Sequence, residues 1–453
     1  MKKRQALQLS TTHIIMLSFL LVIFLGSLLL WLPISAADGI SVPYIDALFT
    51  ATTSTCVTGL VTVPTVTAWS TFGHAVILLL IQIGGLGTVT IMAALMLAVQ
   101  KRIGLKDSLL IQDAFNLQSP SGLASFVRRV LLGTLAIEII GALLYMTVFV
   151  PQFGAYGIWV SLFTSVSAFC NAGIDIIATD SLCAYATNPI VNLVTEALIV
   201  LGGLGFIVWW DLLRILKKWR KQGLRCLRCL TLHSKIVLSA TAILILGGAA
   251  LFLGLEFHNP QTLGNLSLFD KIQVSLFQSV TTRTAGFASL PQENLGAPAA
   301  MLSLLLMLIG GSPAGTAGGI KTVSVVVLFA AALATVRGKQ QISLFHRAIS
   351  DGLLRRALAV AAIFLLITLS STMLLATVTD APLLDIVYET VSATGTVGLS
   401  RALTPLLPLA GKAIVIATMY FGRVGPISLA VAFSVRRARP DIIKNPTEEV
   451  TVG

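Results

Sequence analysis

The hydropathy pattern of the chain alternates long apolar segments with short polar ones. Eight segments are apolar over enough residues to cross a lipid bilayer, which takes about 20 residues in a helix. They cover approximately residues 14–32, 73–99, 126–150, 190–214, 235–255, 300–334, 357–379 and 411–434. Between the two segments of each successive pair lies a weaker apolar stretch of about ten to twelve residues, such as Tyr44 to Thr55. Because it is too short to cross, it predicts a re-entrant half-helix followed by an extended loop.

A glycine follows each short stretch at a regular interval. The intervals are 114, 113 and 112 residues, between Gly59, Gly173, Gly286 and Gly398. Such a period indicates that the chain repeats one structural unit four times. We place the four pore repeats, followed by a cytoplasmic tail, at residues 10–117, 118–232, 233–345, 346–440 and 441–453.

The residues around the glycine also agree among the repeats. Ten residues before it stand large apolar side chains, at Phe49, Phe163, Leu276 and Tyr388. Six residues before it stand Thr53, Ser167, Val280 and Ser392. A second glycine cluster opens 24 to 29 residues after it, at Gly84–Gly85, Gly202–Gly203, Gly310–Gly311 and Gly422. The pattern predicts an all-α integral membrane protein of four membrane-pore-membrane repeats. Its eight transmembrane helices and four re-entrant pore half-helices would surround one pseudo-four-fold pore.

Composition excludes a soluble protein. Of the 453 residues 56% are hydrophobic and only 11% are charged, and the mean hydropathy is +0.91. Soluble domains carry roughly 25% charged residues. The basic start Met1–Arg4 and the apolar run after it resemble a signal sequence. Because the run continues to Leu32 without a convincing cleavage site, we interpret it as the first spanning helix.

The basic residues predict the orientation in the membrane. The net charge is +12, which in a soluble protein would suggest nucleic acid, but here topology explains it and we expect no nucleic-acid partner. Of the 31 basic residues, 25 lie at 2–4, 101–106 with 128–129, 214–235, 337–356 and 436–444. These segments fall on one face, which is the cytoplasm by the positive-inside rule. The sequence thus predicts a multi-pass protein of the cell inner (plasma) membrane, with both termini cytoplasmic and the half-helices entering from outside.

The glycine-containing loops are suited to a cation. A half-helix entering from outside points the negative end of its dipole at the membrane centre. If four such loops surround one axis, their carbonyl groups can replace the water shell of a cation, and glycine lets the four chains approach closely. The loop residues are Thr55, Cys56, Val57, Thr58 and Gly59; Cys170, Asn171, Ala172 and Gly173; Arg283, Thr284, Ala285 and Gly286; and Gly395, Thr396, Val397 and Gly398.

The third repeat contains a candidate gate. Residues 310–321 interrupt its second apolar segment with five glycines and a proline, which cannot form a stable helix. The candidate residues here are Gly310, Gly311, Ser312, Gly315, Thr316, Gly318, Gly319 and Lys321. A kinked helix with close glycine packing is the alternative. Arg423 lies within the last apolar segment, where a charge must face a cavity and find partners, and we expect loop carbonyls at 310–319 to supply them.

These motifs resemble those of the Trk/Ktr/HKT superfamily of potassium transporters. The resemblance rests on the four repeats with one glycine per loop, and on Thr-Arg-Thr-Ala-Gly-Phe at 282–287 and Gly-Thr-Val-Gly-Leu at 395–399. It covers almost the whole chain. The first repeat begins near residue 10 with no additional pair of spans before it, so the chain resembles the bacterial Ktr membrane subunits (KtrB type) more than the longer Trk type.

The resemblance implies roles, an ion and partners. The loops would be the selectivity filter, with potassium bound at Gly59, Gly173, Gly286 and Gly398, and residues 310–321 with Arg423 would be an intramembrane gate. Sodium would be a coupling or activating ion. Family members form homodimers in the lipid bilayer on a cytosolic nucleotide-binding regulatory ring (KtrA-like). A serine at the first glycine position accompanies sodium selectivity in related plant transporters, so Gly59 favours potassium.

Two alternatives remain open from the sequence. One is a sodium-permeable or non-selective cation transporter of the same superfamily. The other is a membrane-embedded enzyme or assembly factor, for which we find only the isolated intramembrane groups Glu138, Lys321 and Arg423. The five histidines are scattered without a metal motif, no phosphate-binding loop follows a strand, and the pair Cys226 and Cys229 has no second pair.

Overall fold

The computed structural model describes residues 11–87, 123–223, 228–339 and 341–425. Apart from a hairpin of two-residue strands, β1 (Ser343–Leu344) and β2 (Arg347–Ala348), its regular elements are helical. The helices of the first two repeats are α1 (Thr11–Trp31), α2 (Tyr44–Cys56), α3 (Thr65–Ala68), α4 (Thr71–Leu86), α5 (Leu123–Phe153), α6 (Tyr156–Cys170), α7 (Pro189–Leu204) and α8 (Phe206–Gln222). Those of the last two are α9 (Leu232–Glu256), α10 (Leu268–Thr281), α11 (Ala297–Leu308), α12 (Thr322–Val336), α13 (Asp351–Ala376), α14 (Leu383–Gly395) and α15 (Leu409–Val424).

The first apolar segment of every repeat is one long helix. Four helices in the described part of the chain are long and apolar enough to cross a membrane by themselves, namely α1, α5, α9 and α13. Each opens one of the repeats that the glycine spacing predicts. The basic clusters at 2–4, 101–106 and 436–444 and the tail at 441–453 lie outside the described residues.

In the described residues, the helices of the second apolar segments are shorter than the hydropathy pattern predicts. The predicted continuous segment 190–214 is wrong: α7 ends at Leu204, and α8 leaves at an angle of 100°. The break is at Gly205, whose φ of 88° is open to glycine but unfavourable for other residues. Gly87 and Gly425 end α4 and α15 with nearly the same φ, 86° and 91°. The continuations predicted to residues 99 and 434 lie outside the described part.

In the third repeat the break is a loop. Helices α11 and α12 are separated by residues 309–321, close to the interruption that the glycine and proline content predicts. The two ends of the loop pair with each other, because the Gly310 N–H donates to the Ile320 carbonyl at 3.0 Å and the Ile320 N–H donates to the Leu308 carbonyl at 3.2 Å. The kinked continuous helix considered as the alternative is therefore excluded.

The short helices between the long ones form the centre of the structure. Helices α2, α6, α10 and α14 have 13, 15, 14 and 13 residues, somewhat longer than the predicted half-helices. Each buries one large ring completely, at Phe49, Phe163, Phe277 and Tyr388. The third position differs from the expected Leu276, which is only half-buried. The buried ring in α10 stands one residue nearer its glycine than in the other three helices.

Ion pairs connect the repeats at the helix starts. Asp46 and Asp385 lie in the first turns of α2 and α14, as expected for acidic groups at helix N-termini. Lys412, at the start of α15, donates to Asp46 at 2.6 Å and so joins the fourth repeat to the first. Arg401 donates to Asp385 at 2.6 Å and also to the Gln292 carbonyl of the third repeat at 2.7 Å.

We predict that Lys412→Ala destabilises the protein by about 2 kcal/mol, because it leaves the Asp46 carboxylate, only 8% exposed, without its cation. Thermal unfolding of the purified protein in detergent measures the change. Lys339→Ala removes an exposed lysine and serves as the matched control. Equal melting temperatures for the two variants would contradict this role of the ion pair.

Candidate functional site

The same unusual backbone conformation follows all four short helices, directly at the ends of α2, α6 and α14 and three residues after the end of α10. The residue two positions before the glycine adopts a left-handed conformation in each repeat, with φ of 56° at Val57, 60° at Asn171, 68° at Thr284 and 50° at Thr396. Helices commonly end in this conformation, but the residue is then usually glycine. Three of the four residues here are β-branched, for which a positive φ is most unfavourable. Strain of roughly 1–3 kcal/mol at each such residue is typical of functional sites.

The four glycines form a closed ring. A Cβ atom added to Gly59 would lie 2.6 Å from the carbonyl oxygen of Ala172, the residue before the next glycine. A Cβ atom added to Gly173 would lie 2.6 Å from the Ala285 oxygen, and one added to Gly286 would lie 2.5 Å from the Val397 oxygen. A Cβ atom added to Gly398 would meet the Thr58 oxygen of the first loop, which closes the ring. Each loop therefore contacts the next in the order 1, 2, 3, 4 and back to 1.

Steric contact explains why glycine occupies these positions. Real Cβ atoms do not approach backbone oxygens this closely, so any larger residue would force two loops apart. The glycines also have positive φ, between 64° at Gly173 and 103° at Gly59. Both reasons apply at every one of the four positions, which accounts for the regular glycine period in the sequence.

Hydroxyl groups of the short helices hold the loops. Thr53 and Ser392, singled out six residues before the glycine, accept the N–H groups of Gly59 and Gly398 at 3.0 Å. Ser167 accepts instead from Ile174, one residue further along, at 3.1 Å. Val280 has no hydroxyl, and its neighbour Thr281 donates to the carbonyl oxygen of Phe287 at 2.6 Å. The loop conformation thus depends on these buried side chains as well as on the glycines.

Other hydroxyl groups at the ring are buried without a hydrogen-bond partner within the described residues. They belong to Thr55, Thr58, Thr284 and Thr396. A buried hydroxyl group that makes no hydrogen bond is unfavourable by roughly 1–3 kcal/mol. With the loop carbonyls, these oxygens form a concentration of potential cation ligands at the negative ends of the short helices. The remaining predicted loop residues Cys56, Val57, Cys170, Ala172, Ala285 and Val397 are buried, as is Arg283, and Gly395 is the last residue of α14.

The second glycine cluster brings the broken helices against the ends of the short ones. A Cβ atom on Gly84 would meet the Thr55 carbonyl oxygen, one on Gly202 the Phe169 oxygen, and one on Gly422 the Thr394 oxygen. Gly310 in the third repeat differs, because a Cβ atom there would meet the Gly318 oxygen of its own loop. The loop 309–321 therefore occupies the region where the other repeats place a helix against a helix end.

Residues 309–321 lie directly against the ring. The N–H groups of Ser312 and Thr316 donate to the carbonyls of Gly203 and Gly202 at 2.9 and 3.1 Å. The Thr316 hydroxyl donates to the Phe169 oxygen at 3.1 Å. On the opposite side, a Cβ atom on Gly318 would meet the Thr396 hydroxyl of the fourth repeat. The loop thus bridges the second and fourth repeats underneath the helix ends.

Three cations surround this loop, and each binds carbonyl oxygens. Arg423 donates to Thr316 of the loop at 2.7 Å and to Gly84 of the first repeat at 2.5 Å. Lys321 donates to the Ala317 oxygen at 2.6 Å, which braces the loop from its own end. Arg283, in the third glycine loop, donates to the Gly310 oxygen at 3.4 Å. The ion pairs of the described residues include none of these three cations.

Sequence reasoning missed two parts of the site. Glu389 on α14 is fully buried and accepts the hydroxyl groups of Ser400 and Thr404 at 2.7 and 2.5 Å, so it fixes the chain that follows the fourth glycine. The only feature of the sequence that pointed to Glu389 was an acidic residue within an otherwise apolar helix. The helix ends at Gly87 and Gly425 and the bend at Gly205 were also missed, although all three glycines stand three residues after the start of the second cluster.

The buried carboxylates and the thiols within the described residues do not form a catalytic or metal-binding group. Gln82 donates to Glu138 at 3.2 Å, and the Cys170 thiol lies 3.9 Å from the same carboxylate. One carboxylate oxygen of Glu196 is buried without a partner in the described residues. In that part of the chain no three His, Cys, Asp or Glu side chains are placed to hold a metal ion. Cys229 is exposed as a free thiol, and Cys226 lies outside the described residues.

The fold and the loops define a transporter of cations. Residues 2–444 match the model of the TrkH family, described as a cation transport protein, and the chain belongs to this family. It is therefore a membrane transporter and not an enzyme.

Two relatives are similar to this chain over nearly their full length. The chain is 40% identical to the Ktr system potassium uptake protein B of Bacillus subtilis, covering 97% of this chain and 96% of the relative. It is 38% identical to the potassium/sodium uptake protein NtpJ of Enterococcus hirae, covering 100% and 99%. The crystal structure of the potassium transporter TrkH from Vibrio parahaemolyticus has the same fold, with a TM-score of 0.74 at 16% identity over 96% of this chain and 87% of that one.

We predict that Gly202→Ala destabilises the protein whereas Gly203→Ala does not. A Cβ atom on Gly202 would collide with the Phe169 carbonyl and lie 2.7 Å from the Thr316 hydroxyl, whereas the nearest atom to one on Gly203 is 3.5 Å away. Overpacking against a rigid neighbour is unfavourable by roughly 1–3 kcal/mol, while alanine is favoured over glycine inside a helix.

Melting temperatures of the two variants in detergent provide the measurement, and each variant controls for the other because the residues are adjacent in α7. If Gly202→Ala melted at or above the temperature of Gly203→Ala, the contact between α7 and the end of α6 would have to be revised.

Proposed function

We propose that the chain is the ion-translocating pore subunit of a Ktr-type potassium uptake system. The observation that carries this proposal is the closed ring of four glycine loops, in which every loop contacts the next through a glycine and a carbonyl group. The names of two relatives with full-length similarity, at 40% and 36% identity, describe potassium uptake by Ktr systems and support the choice of ion.

In this proposal the four loops are the selectivity filter. Potassium enters from outside and loses its water at Gly59, Gly173, Gly286 and Gly398. Loop carbonyls and the unpartnered hydroxyls of Thr55, Thr58, Thr284 and Thr396 supply oxygen in its place. The negative ends of the four short helices point at the same region and favour a cation there. The strained left-handed residues before the glycines hold the carbonyls in position before the ion arrives.

The loop 309–321 and Arg423 are the proposed gate. The loop lies against the inner ends of two filter helices, and Arg423 ties it to the first repeat through Thr316 and Gly84. A positive charge next to the ion path also repels a cation. The many glycines and the polar backbone contacts let the loop move without exposing unpaired groups to lipid. Release of the Arg423 hydrogen bonds would open the path.

The same proposal includes the complete topology. Each of the eight apolar segments provides one crossing, the fourth of them through α7 and not through α8, and α2, α6, α10 and α14 are the re-entrant pore half-helices. The repeats run over 10–117, 118–232, 233–345 and 346–440. The protein lies in the inner (plasma) membrane with both termini cytoplasmic. The distribution of basic residues supports this orientation. Three basic residues fall on the opposite side, and each has a partner: Lys271 binds the Phe257 carbonyl, Arg401 binds Asp385 and Lys412 binds Asp46.

The partners follow from the type of system. The name Ktr system, which the relatives carry, supports a cytosolic nucleotide-binding regulatory ring of the KtrA kind, with two copies of this chain forming a homodimer on it. Sodium is the proposed coupling or activating ion.

A second candidate function is uptake of sodium together with potassium. It is favoured by the relative in Enterococcus hirae, whose name includes both ions and which is 38% identical over the whole chain. Competition between the two ions in a flux measurement separates the candidates, because a strict potassium transporter is not inhibited by excess sodium.

We expect Gly286→Ser to reduce the preference for potassium over sodium, because its side chain would push apart the third and fourth loops at the Val397 carbonyl. The measurement is growth of a potassium-uptake-deficient bacterium on low potassium, with a cognate regulatory subunit supplied, followed by uptake with competing sodium. Gly247→Ser is the matched control, since no atom lies within 4 Å of a Cβ built there.

Rescue by the wild type and the control, with lost preference in Gly286→Ser, is the expected result. Unchanged selectivity in a well-expressed Gly286→Ser protein would refute the assignment of the ring as the filter.

We expect Arg423→Ala to raise potassium flux in the resting state by about ten-fold, since hydrogen bonds from a charged donor contribute roughly 1.5–3 kcal/mol. Flux into vesicles containing the reconstituted protein provides the readout. Arg356→Ala removes an exposed arginine at the start of α13 and controls for loss of charge. If the two variants conducted equally, Arg423 would have no role in closing the path.

A further inference from the structure

Helix α8 is amphipathic and is turned away from the span that precedes it. After the bend of 100° at Gly205, its Val208, Trp209 and Ile215 are buried against the protein. Leu213 and Leu216, one and two turns beyond Trp209, are 47% and 63% exposed. A helix with one apolar face on the protein, exposed leucines and basic residues is typical of a segment at a membrane surface.

The contacts of α8 indicate where the helix lies relative to the membrane surface. Asp211 accepts both the N–H and the hydroxyl of Thr231 at 2.9 Å. Thr231 caps α9, which has 25 residues and is therefore about 37 Å long. Because α9 is long enough to cross the hydrocarbon completely, its capped end lies at one surface of the membrane. The part of α8 beyond Asp211 lies at that same surface, which is the cytoplasmic one in the proposed topology.

The sequence of this part is strongly basic. Lys217, Lys218, Arg220 and Lys221 fall within the last six residues of α8, and no acidic residue occurs between Asp211 and the end of the helix. The cytoplasmic leaflet is the one that carries anionic lipid, and a cluster of four or more basic residues on an amphipathic helix is suited to its headgroups. Charge complementarity therefore identifies the occupant as an anionic phospholipid.

The other end of α8 contacts the proposed gate. The N–H group of Phe206, its first residue, donates to the Ala314 carbonyl of the loop 309–321 at 2.9 Å. The ring of Trp209 packs edge-on against Phe206 and against Phe169, with centroids 5.2 and 5.6 Å apart. Phe169 in turn accepts the hydroxyl of Thr316. Helix α8 thus connects the membrane surface with the loop 309–321 and with the end of α6.

We propose that anionic phospholipid headgroups bind the basic second half of α8 and control the gate through its first turn. Headgroup binding holds the far end of the helix at the surface, and any tilt of the helix is passed to Ala314 and Phe169. This inference rests on the proposed function for the gate and for the cytoplasmic orientation.

Lipid binding is tested first. The full chain is reconstituted in phosphatidylcholine vesicles, and tryptophan fluorescence is quenched with brominated phosphatidylglycerol or brominated phosphatidylcholine. We expect the wild type to prefer phosphatidylglycerol. Lys217→Gln/Lys218→Gln should reduce the preference by roughly ten-fold or more, since each basic residue near an anionic surface contributes about five-fold. Arg355→Gln/Arg356→Gln, two exposed arginines at the start of α13, should retain it.

Coupling to the gate is tested by potassium flux in the same vesicles, with a cognate regulatory subunit. Wild-type flux should change several-fold when phosphatidylglycerol is added, and the change should be lost in Lys217→Gln/Lys218→Gln. Trp209→Leu should keep the lipid preference, which Trp210 still reports, but lose the response of the flux. A full response in Trp209→Leu would overturn the connection through the first turn.

The remaining outcomes are also decisive. Equal loss of lipid preference in the α8 variant and the α13 control would refute a specific lipid site. A retained preference together with lost binding of the regulatory subunit would show that α8 docks a protein, and would equally overturn the proposal. If the wild type carried no potassium in any vesicle, the proposed function would fail, whereas the quenching measurement would still decide whether α8 binds the lipid.

Discussion

The structure depends on the close approach of four backbones around one axis. At each contact a glycine of one loop lies against a carbonyl group of the next, and a single methyl group would separate them. The approach is held in place by strained residues such as Val57 and Thr396 and by hydroxyl groups of Thr53 and Ser392. The burial of the short helices stabilises this strained arrangement, since their large rings at Phe49, Phe163, Phe277 and Tyr388 are fully enclosed.

The same close packing extends to the second helix of each repeat. Their glycines allow Gly84, Gly202 and Gly422 to lie on the carbonyl groups that end the short helices. The third repeat goes further, because its helix is replaced by a loop that pairs with Gly202 and Gly203. Glycines thus permit both the close contacts of the ring and those of the loop beside it.

Much of this architecture could be predicted from the sequence. The long apolar segments, the period of the glycines and the irregular segment at 310–321 each depend on local composition. The long first helix of each repeat and the short helix before each glycine occupy the expected positions. The contact of Arg423 with loop carbonyls was also expected, because a charge inside a span has few other partners.

The remaining features depend on contacts between distant residues. The bend at Gly205 was not predicted because hydropathy reports the polarity of a segment and not its direction. The shift in the third repeat, where Phe277 and Thr281 replace Leu276 and Val280, was hidden because a fixed spacing was assumed for all four helices. The ion pair between Asp46 and Lys412 joins residues 366 positions apart, and no pattern within one repeat indicates it.

That last contact has a consequence for how the protein is made. The first repeat is completed by the fourth: Lys412 binds Asp46, and the Tyr420 hydroxyl donates to the Met16 carbonyl at 3.0 Å. During synthesis the first three repeats must therefore reside in the bilayer with an open side, on which the Asp46 carboxylate has no cation. The ring becomes complete only when the last residues leave the ribosome, so a chain truncated within the fourth repeat would be inserted yet remain an unsealed intermediate for quality control to remove.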